Sequence, residues 1–176
     1  TMSEERAQVA KQFAKDSFVL CTLHRAENTD SKENLVGIFT AIEQLALDSK
    51  FIMPLHPRTV KSLDKHGIKI SNRNIILIDP VGYLEMLWLI KNCEVVLTDS
   101  GGLQKEAYFF SKPCVTLRNE TEWLELIQEE VNILAGVDPS NIIGAYIKQR
   151  GRQLTSVSLY GDGNSSRKIA EYLLHA

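Results

Sequence analysis

Asp99, Ser100, Gly101, Gly102 and Glu106 stand close together in the stretch Glu94-Val95-Val96-Leu97-Thr98-Asp99-Ser100-Gly101-Gly102-Leu103-Gln104-Lys105-Glu106-Ala107. Their types suit the binding of an anion beside a hydroxylated group. The apolar run Val95 to Leu97 fits a strand covered on both faces. Gly101 and Gly102 carry no Cβ, so the backbone can turn tightly there and approach a ligand. The helix predicted to follow opens with unpaired N–H groups and the positive end of its dipole, which together favour an anion. Glu106 falls four residues after Gly102, on the same helix face and one turn further in. A phosphate site with an acid beside it matches the needs of a nucleotide with ribose hydroxyls. A plainer arrangement fits the same residues: Ser100 caps the helix and the glycines turn the chain.

Further titratable residues follow other apolar runs. His24 leads into Arg25-Ala26-Glu27-Asn28, where its imidazole could donate to phosphate or exchange a proton near neutral pH. A loop histidine bonded to Glu27 is the alternative. His56, followed by Pro57, is expected to serve the turn it occupies. Lys105 is expected to point to solvent, and Trp88, Phe109 and Phe110 to belong to the core.

These residues need a frame. The pattern predicts an amphipathic helix over Ser3 to Lys15, then strands over Phe18 to Leu23, Phe51 to Leu55, Ile75 to Ile78, Val95 to Leu97, Cys114 to Leu117 and Val131 to Leu134. Between them lie helices: one capped by Ser31 with Leu35, Ile38, Phe39, Ile42 and Leu45 on one face, and one from Thr59 to His66 that stops at Gly67. A third covers Tyr83 to Lys91 with Leu84, Leu87, Trp88 and Ile90 inward, and a fourth runs on from Gly102. Asn119 and Glu122 resemble a capping box for a helix through Gln128. Helices over Pro139 to Gln149 and Ser165 to Leu174 complete the chain, separated by a loop-like stretch from Gly151 to Gly163. Strand–helix alternation argues for an α/β fold of three layers with a mostly parallel six-stranded sheet. In such sheets ligands sit beyond the carboxyl ends of the strands. His24, His56, Asp79, Asp99-Ser100 and Arg118 all fall just past a predicted strand, so the titratable groups gather on one edge.

Composition narrows the function classes. A chain of 176 residues fits one domain, with 24% charged and 44% hydrophobic residues, ordinary for a globular protein. A net charge of -2 provides no field for gripping nucleic acid or an anionic membrane, so phosphate binding has to be local. Cys21, Cys93 and Cys114 sit in or beside apolar runs without metal spacing, which suits reduced core thiols in a cytoplasmic protein. No apolar run is long enough to span a bilayer and no signal peptide opens the chain. The four histidines are scattered, so neither metal nor cofactor is expected. The first strand lacks the Gly-x-Gly-x-x-Gly of dinucleotide folds, and Ser100 lacks the preceding glycine of a nucleophile elbow.

His24-Arg25-Ala26-Glu27-Asn28, Thr98 to Ala107, Lys112-Pro113, Arg118-Asn119-Glu120-Thr121-Glu122 and Tyr160-Gly161-Asp162-Gly163-Asn164 occur in an order that resembles the UDP-N-acetylglucosamine 2-epimerases, from about Phe18 onward. The resemblance implies two Rossmann-like domains in the glycosyltransferase-B arrangement. Residues 1–176 correspond to the C-terminal one, without the N-terminal partner, and the last helix is of the kind that returns to that partner. It implies that Ser100, Gly101 and Gly102 bind the diphosphate, that Glu106 holds the ribose hydroxyls, and that His24 assists UDP departure. Arg25, Asp99, Val81 and Met86 complete the expected UDP contacts. The family reaction inverts the sugar's second carbon by eliminating UDP to a glycal and adding it back, and family members tend to be dimers.

Three positions depart from the family pattern. Trp123 follows Thr121-Glu122 where common members have arginine, and it resembles a branch acting on UDP-2,3-diacetamido-glucuronic acid. Val81 and Met86 stand where common members place a glutamine and an aromatic beside uracil. Because the family's catalytic carboxylates belong to the N-terminal domain, the isolated chain is expected to bind UDP weakly and not to epimerise. A glycosyltransferase of the same architecture and a non-catalytic UDP-sugar sensor are the alternative readings.

Overall fold

The computed structural model describes Phe13, residues 17–154 and residues 158–175. Six strands form one sheet: β1 (Val19–Thr22), β2 (Phe51–Pro54), β3 (Ile75–Ile78), β4 (Val95–Thr98), β5 (Cys114–Thr116) and β6 (Asn132–Leu134). Every pairing is parallel, in the order β3-β2-β1-β4-β5-β6. β1, β2, β4 and β5 are buried along their whole length, as expected of central strands covered on both faces.

The alternation of side chains across the strands separates two cores. Val19, Cys21, Phe51, Met53, Val95, Leu97 and Val115 face α2 (Lys32–Leu45), α3 (Pro57–His66) and α7 (Pro139–Gln149), meeting Leu35, Ile38, Ile42, Leu63, Ile142 and Tyr146. Leu20, Ile52, Val96 and Cys114 face the other way, onto Leu89 and Ile90 of α4 (Tyr83–Asn92) and Leu103 and Ala107 of α5 (Gly101–Phe109). The result is a three-layer α/β sandwich. Strand order reverses at β1, which lies between β2 and β4. A crevice therefore opens beyond the carboxyl ends of β1 and β4, where the two halves of the sheet diverge.

Several local expectations are met in detail. Ser31 caps α2 by accepting the Asn34 N–H at 3.2 Å. Gly67 ends α3 in the left-handed conformation at φ 69°, which only a residue without Cβ adopts freely. α3 begins at Pro57 rather than Thr59, because proline suits the first helical position and His56 Nδ1 accepts the Arg58 N–H. The three cysteines are buried and free, and burial raises the Cys93 thiol to about 12.

Other expectations need correction. The short helix α1 (Ala26–Thr29) stands where the sequence suggested only a loop. Leu84 is 55% exposed, whereas Leu89 and Ile90 carry α4 into the core and Leu87 and Trp88 pack at its margin. Phe109 is 61% exposed and is no core residue. The Asn119–Glu122 capping box does not form: α6 (Leu124–Gln128) starts later, with Trp123 at its cap, and Glu122 is bound by Arg118 instead. α8 (Ser165–His175) has no buried residue and leaves Ile169, Tyr172, Leu173 and Leu174 exposed. The predicted Ser3 to Lys15 helix lies outside the described residues except for Phe13, which is helical and buried. Among the described residues no helix is long and apolar enough to cross a membrane.

Candidate functional site

The end of β4 and the start of α5 form the anion-binding geometry. Ser100 is the cap: its backbone is extended and its Oγ accepts the Leu103 N–H at 3.3 Å. The Gln104 N–H closes the first helical bond onto the Ser100 carbonyl. Of the four N–H groups that open a helix, those of Gly101 and Gly102 remain for a ligand, at the positive end of the dipole. Capping and anion binding are thus compatible uses of one serine. A Cβ at Gly101 would stand 3.3 Å from Glu122 Oε2 and 3.7 Å from both Arg25 Nη2 and Trp123 Nε1, so residue 101 has crowded surroundings. Beneath this turn the Thr98 hydroxyl accepts the Ser100 N–H at 2.9 Å and meets the Thr22 hydroxyl of β1 at 2.6 Å. β1 and β4 are pinned together directly under the site.

Asp99 fastens the histidine loop to the same spot. Its carboxylate is fully buried and accepts the backbone N–H groups of His24 (3.1 Å) and Arg25 (2.9 Å) and the Asn28 amide (3.2 Å). The Asn28 amide also donates to the Leu117 carbonyl at 2.9 Å, so the loop is tied to β4 and to the end of β5. His24 places Nδ1 3.4 Å from Asp99 Oδ1, and its side chain is 49% exposed. The His24–Glu27 pairing considered from sequence is not the one adopted, since Glu27 reaches Arg118 at 3.1 Å. Asp99 was expected to touch UDP; the structure instead employs its oxygens in holding the loop.

An arginine–glutamate network closes the far side. Arg118, 3% exposed, donates to Glu27 and, at 2.9 and 3.1 Å, to both oxygens of Glu122. Arg25 reaches the same Glu122 carboxylate at 3.4 Å. The Arg118 hydrogen bond, foremost, holds the Glu122 carboxyl well down, at about 2. The same partner raises Arg118 further above its ordinary value. Arg118 stood out in the sequence as a strand-end residue, but its two glutamate partners lie far from it or in a different predicted role.

A cavity of about 350 Å³ opens at this edge, lined by Thr22, Leu23, His24, Pro54, His56, Arg58, Pro80, Val81, Met86, Ser100 and Leu103. His24, Ser100, Val81 and Met86 of the expected set are therefore brought to one wall system, and Gly101, Gly102 and Glu106 continue from Ser100 into α5. Val81 and Met86 offer an apolar wall. The loop bearing Val81 is held by the buried Glu85, which accepts the Gly82 N–H at 2.6 Å. Glu106 is half-buried, and desolvation raises its carboxyl above the usual range. Arg58 was missed from sequence; it lines the cavity while reaching Asp30 at 2.6 Å. Lys105 was expected in solvent but lies 4.1 Å from the ring centres of both Trp123 and Tyr160. Among the described residues no group of three or more His, Cys, Asp or Glu could hold a metal ion. The arrangement offers N–H groups, a hydroxyl and an imidazole to an anion, with an apolar wall for a planar group nearby.

Comparison with known proteins gives this geometry a lineage. The family model described as UDP-N-acetylglucosamine 2-epimerase matches residues 1–174. The UDP-2,3-diacetamido-2,3-dideoxy-D-glucuronate 2-epimerase of Pseudomonas aeruginosa is 45% identical over 162 residues, covering 91% of this chain and 45% of that protein. A UDP-N-acetylglucosamine 2-epimerase homolog of Methanococcus maripaludis is 49% identical over 164 residues, covering 92% of this chain and 45% of that protein. The crystal structure of the Methanocaldococcus jannaschii UDP-GlcNAc 2-epimerase in complex with UDP-GlcNAc and UDP superposes with a TM-score of 0.87 at 37% identity, over 99% of this chain and 49% of that one. The chain spans about half the length of the curated relatives it matches. With matching motifs, fold and family model, the chain belongs to the UDP-N-acetylglucosamine 2-epimerase family.

Proposed function

We propose that residues 1–176 form the UDP-binding, C-terminal domain of a non-hydrolysing UDP-N-acetylglucosamine 2-epimerase of glycosyltransferase-B-like architecture. One observation carries the reading: the capped, glycine-opened start of α5 and the Asp99-held His24 loop meet at the point where strand order reverses. In this reading the N–H groups of Gly101 and Gly102 and the Ser100 hydroxyl take the diphosphate. Glu106 takes the ribose hydroxyls, and uracil lies against Val81 and Met86. His24, with Arg25 beside it, stands near the sugar–phosphate bond. The reaction removes the proton from the sugar's second carbon and breaks the bond between the first carbon and the diphosphate oxygen. A glycal and UDP result, and UDP and a proton then add back with the second carbon inverted. The helix dipole, Ser100 and His24 stabilise the negative charge that gathers on departing UDP.

The groups that move the carbon-bound proton belong, on this reading, to an N-terminal Rossmann domain. The exposed apolar side chains of α8 suit a helix that returns to that domain. The whole protein is then a cytoplasmic homodimer supplying an epimerised nucleotide sugar for cell-surface polysaccharide. The relative from Pseudomonas aeruginosa, together with Trp123, favours UDP-2,3-diacetamido-glucuronic acid as a second candidate substrate. Incubating the full-length protein with each UDP-sugar and no acceptor tests the proposal. An epimerase returns the 2-epimer in an acceptor-free mixture. Unchanged sugar from both substrates, with transfer once an acceptor is added, contradicts it, and so does turnover by the isolated chain.

A further inference from the structure

Three separate parts of the chain converge on Trp123. Its indole Nε1–H donates to the carbonyl of Gly101, the first residue of α5, at 2.8 Å. Its backbone N–H donates to Thr121 Oγ1 at 3.2 Å, and that hydroxyl donates to Oε1 of the fully buried Gln104 at 2.7 Å. Over its ring lies the Lys105 ammonium, 4.1 Å from the ring centre and equally 4.1 Å from that of Tyr160. The two rings meet edge-on, 6.1 Å apart at 82°. Tyr160 in turn packs edge-on against Tyr108 of α5, whose hydroxyl accepts the Leu159 N–H at 2.8 Å. One cation is thus shared by two rings, between the start of α5 and the loop that leads to α8.

The bond to Gly101 concerns a particular peptide group. The Gly101 carbonyl and the Gly102 N–H belong to one rigid plane. A peptide between two glycines has the widest conformational freedom in any chain. Its N–H is one of the two left for a ligand at the helix start. A donor on the carbonyl fixes the tilt of that plane, and polarises the peptide so that its N–H becomes a stronger donor. The lysine above the indole places positive charge on the ring face and holds the ring where its N–H reaches Gly101.

We propose that Trp123 is a positioning residue for the diphosphate. In this assignment its indole orients the Gly101–Gly102 peptide toward the anion, and Lys105, shared with Tyr160, holds the indole in place. The proposal rests on the UDP-binding reading above. It differs from ordinary packing in one respect: packing damage weakens every ligand of the domain alike, whereas a misaligned Gly102 N–H weakens only ligands with phosphate there.

The test compares UDP and uridine on the parent chain, Trp123→Phe and Lys105→Met, by calorimetry for UDP and NMR titration for uridine. Trp123→Phe keeps a ring under Lys105 but removes the N–H donor, and should lower UDP affinity about five- to tenfold. Uridine affinity should stay at the parent value. Lys105→Met should lower UDP affinity about two- to fivefold. UDP affinity unchanged in Trp123→Phe overturns the proposal, as does an equal loss for UDP and uridine. A parent that binds no UDP sinks the functional reading and not the clamp, which has its own ligand-free readout. The Trp123 indole proton should exchange with solvent about fivefold faster in Lys105→Met than in the parent. Equal exchange rates overturn the clamp.

Discussion

Asp99→Asn is the substitution that most directly challenges the account of how the site is held. The carboxylate is fully buried: Oδ2 accepts from His24 N, Arg25 N and Asn28 Nδ2, while Oδ1 also accepts from His24 N, at 3.2 Å, and lies 3.4 Å from His24 Nδ1. Asparagine has the same shape but no charge, and with its oxygen in the Oδ2 place its amide N–H groups face the His24 N–H. Hydrogen bonds to a charged group contribute about 1.5–3 kcal/mol each, and the retained oxygen preserves part of them. A loss of about 1.5–3 kcal/mol follows, which for a chain of this size lowers the melting temperature by about 3–12 °C. Urea unfolding should show a lower midpoint with an unchanged slope, because native and unfolded surfaces barely change. Amide exchange should rise at Arg25 and Asn28 and most at His24, since the loop's tether weakens while the sheet keeps its own bonds. A stability within about 0.5 kcal/mol of the parent, the range of an ordinary surface change, would falsify the view that Asp99 organises this loop.

Two further outcomes follow from other parts of the structure. A Cβ at Gly37 of α2 would stand 2.4 Å from the Val137 carbonyl oxygen, and backbone cannot turn aside as a side chain can. Gly37→Ala should therefore destabilise the fold by about 1–3 kcal/mol on urea titration, although alanine is the better helix former; a gain in stability refutes the close packing. Glu122 has a folded pKa of about 2 against an ordinary 4.5, so its contribution to stability is complete above pH 4.5 and fades as pH falls toward 2. The difference in urea midpoint between the parent and Glu122→Gln should narrow across that window, and a difference independent of pH would contradict the Arg118 pairing.

Much of this architecture was legible because central strands of a parallel sheet are apolar on both faces. Val95 to Leu97 and Phe51 to Leu55 read as strands without any partner being known, and their caps, Ser31 and Gly67, obey local rules. The strand-end histidines, aspartate and arginine were visible for the same reason, since every strand delivers its next residue to one edge. What was hidden depends on contacts distant in sequence. Glu122 has the local spacing of a capping partner for Asn119, yet the buried Arg118 side chain claims the carboxylate. Lys105 looks like a solvated helix charge until Trp123 and Tyr160 arrive from elsewhere in the chain. Asp99 resembles a ligand contact because it precedes the serine; only the fold shows its oxygens occupied by the His24 loop. Leu84 follows helical periodicity but is left exposed, whereas Leu89 and Ile90 of the same helix are buried.

The central claim is that the start of α5 holds UDP. Calorimetric titration of UDP into this chain, beside Ser100→Ala and Glu106→Ala, addresses it directly. The parent should bind UDP weakly, and each variant should lose about 1.5–3 kcal/mol of binding free energy, one hydrogen bond to a charged group apiece. UDP binding by the parent with both variants at the same affinity would contradict the site.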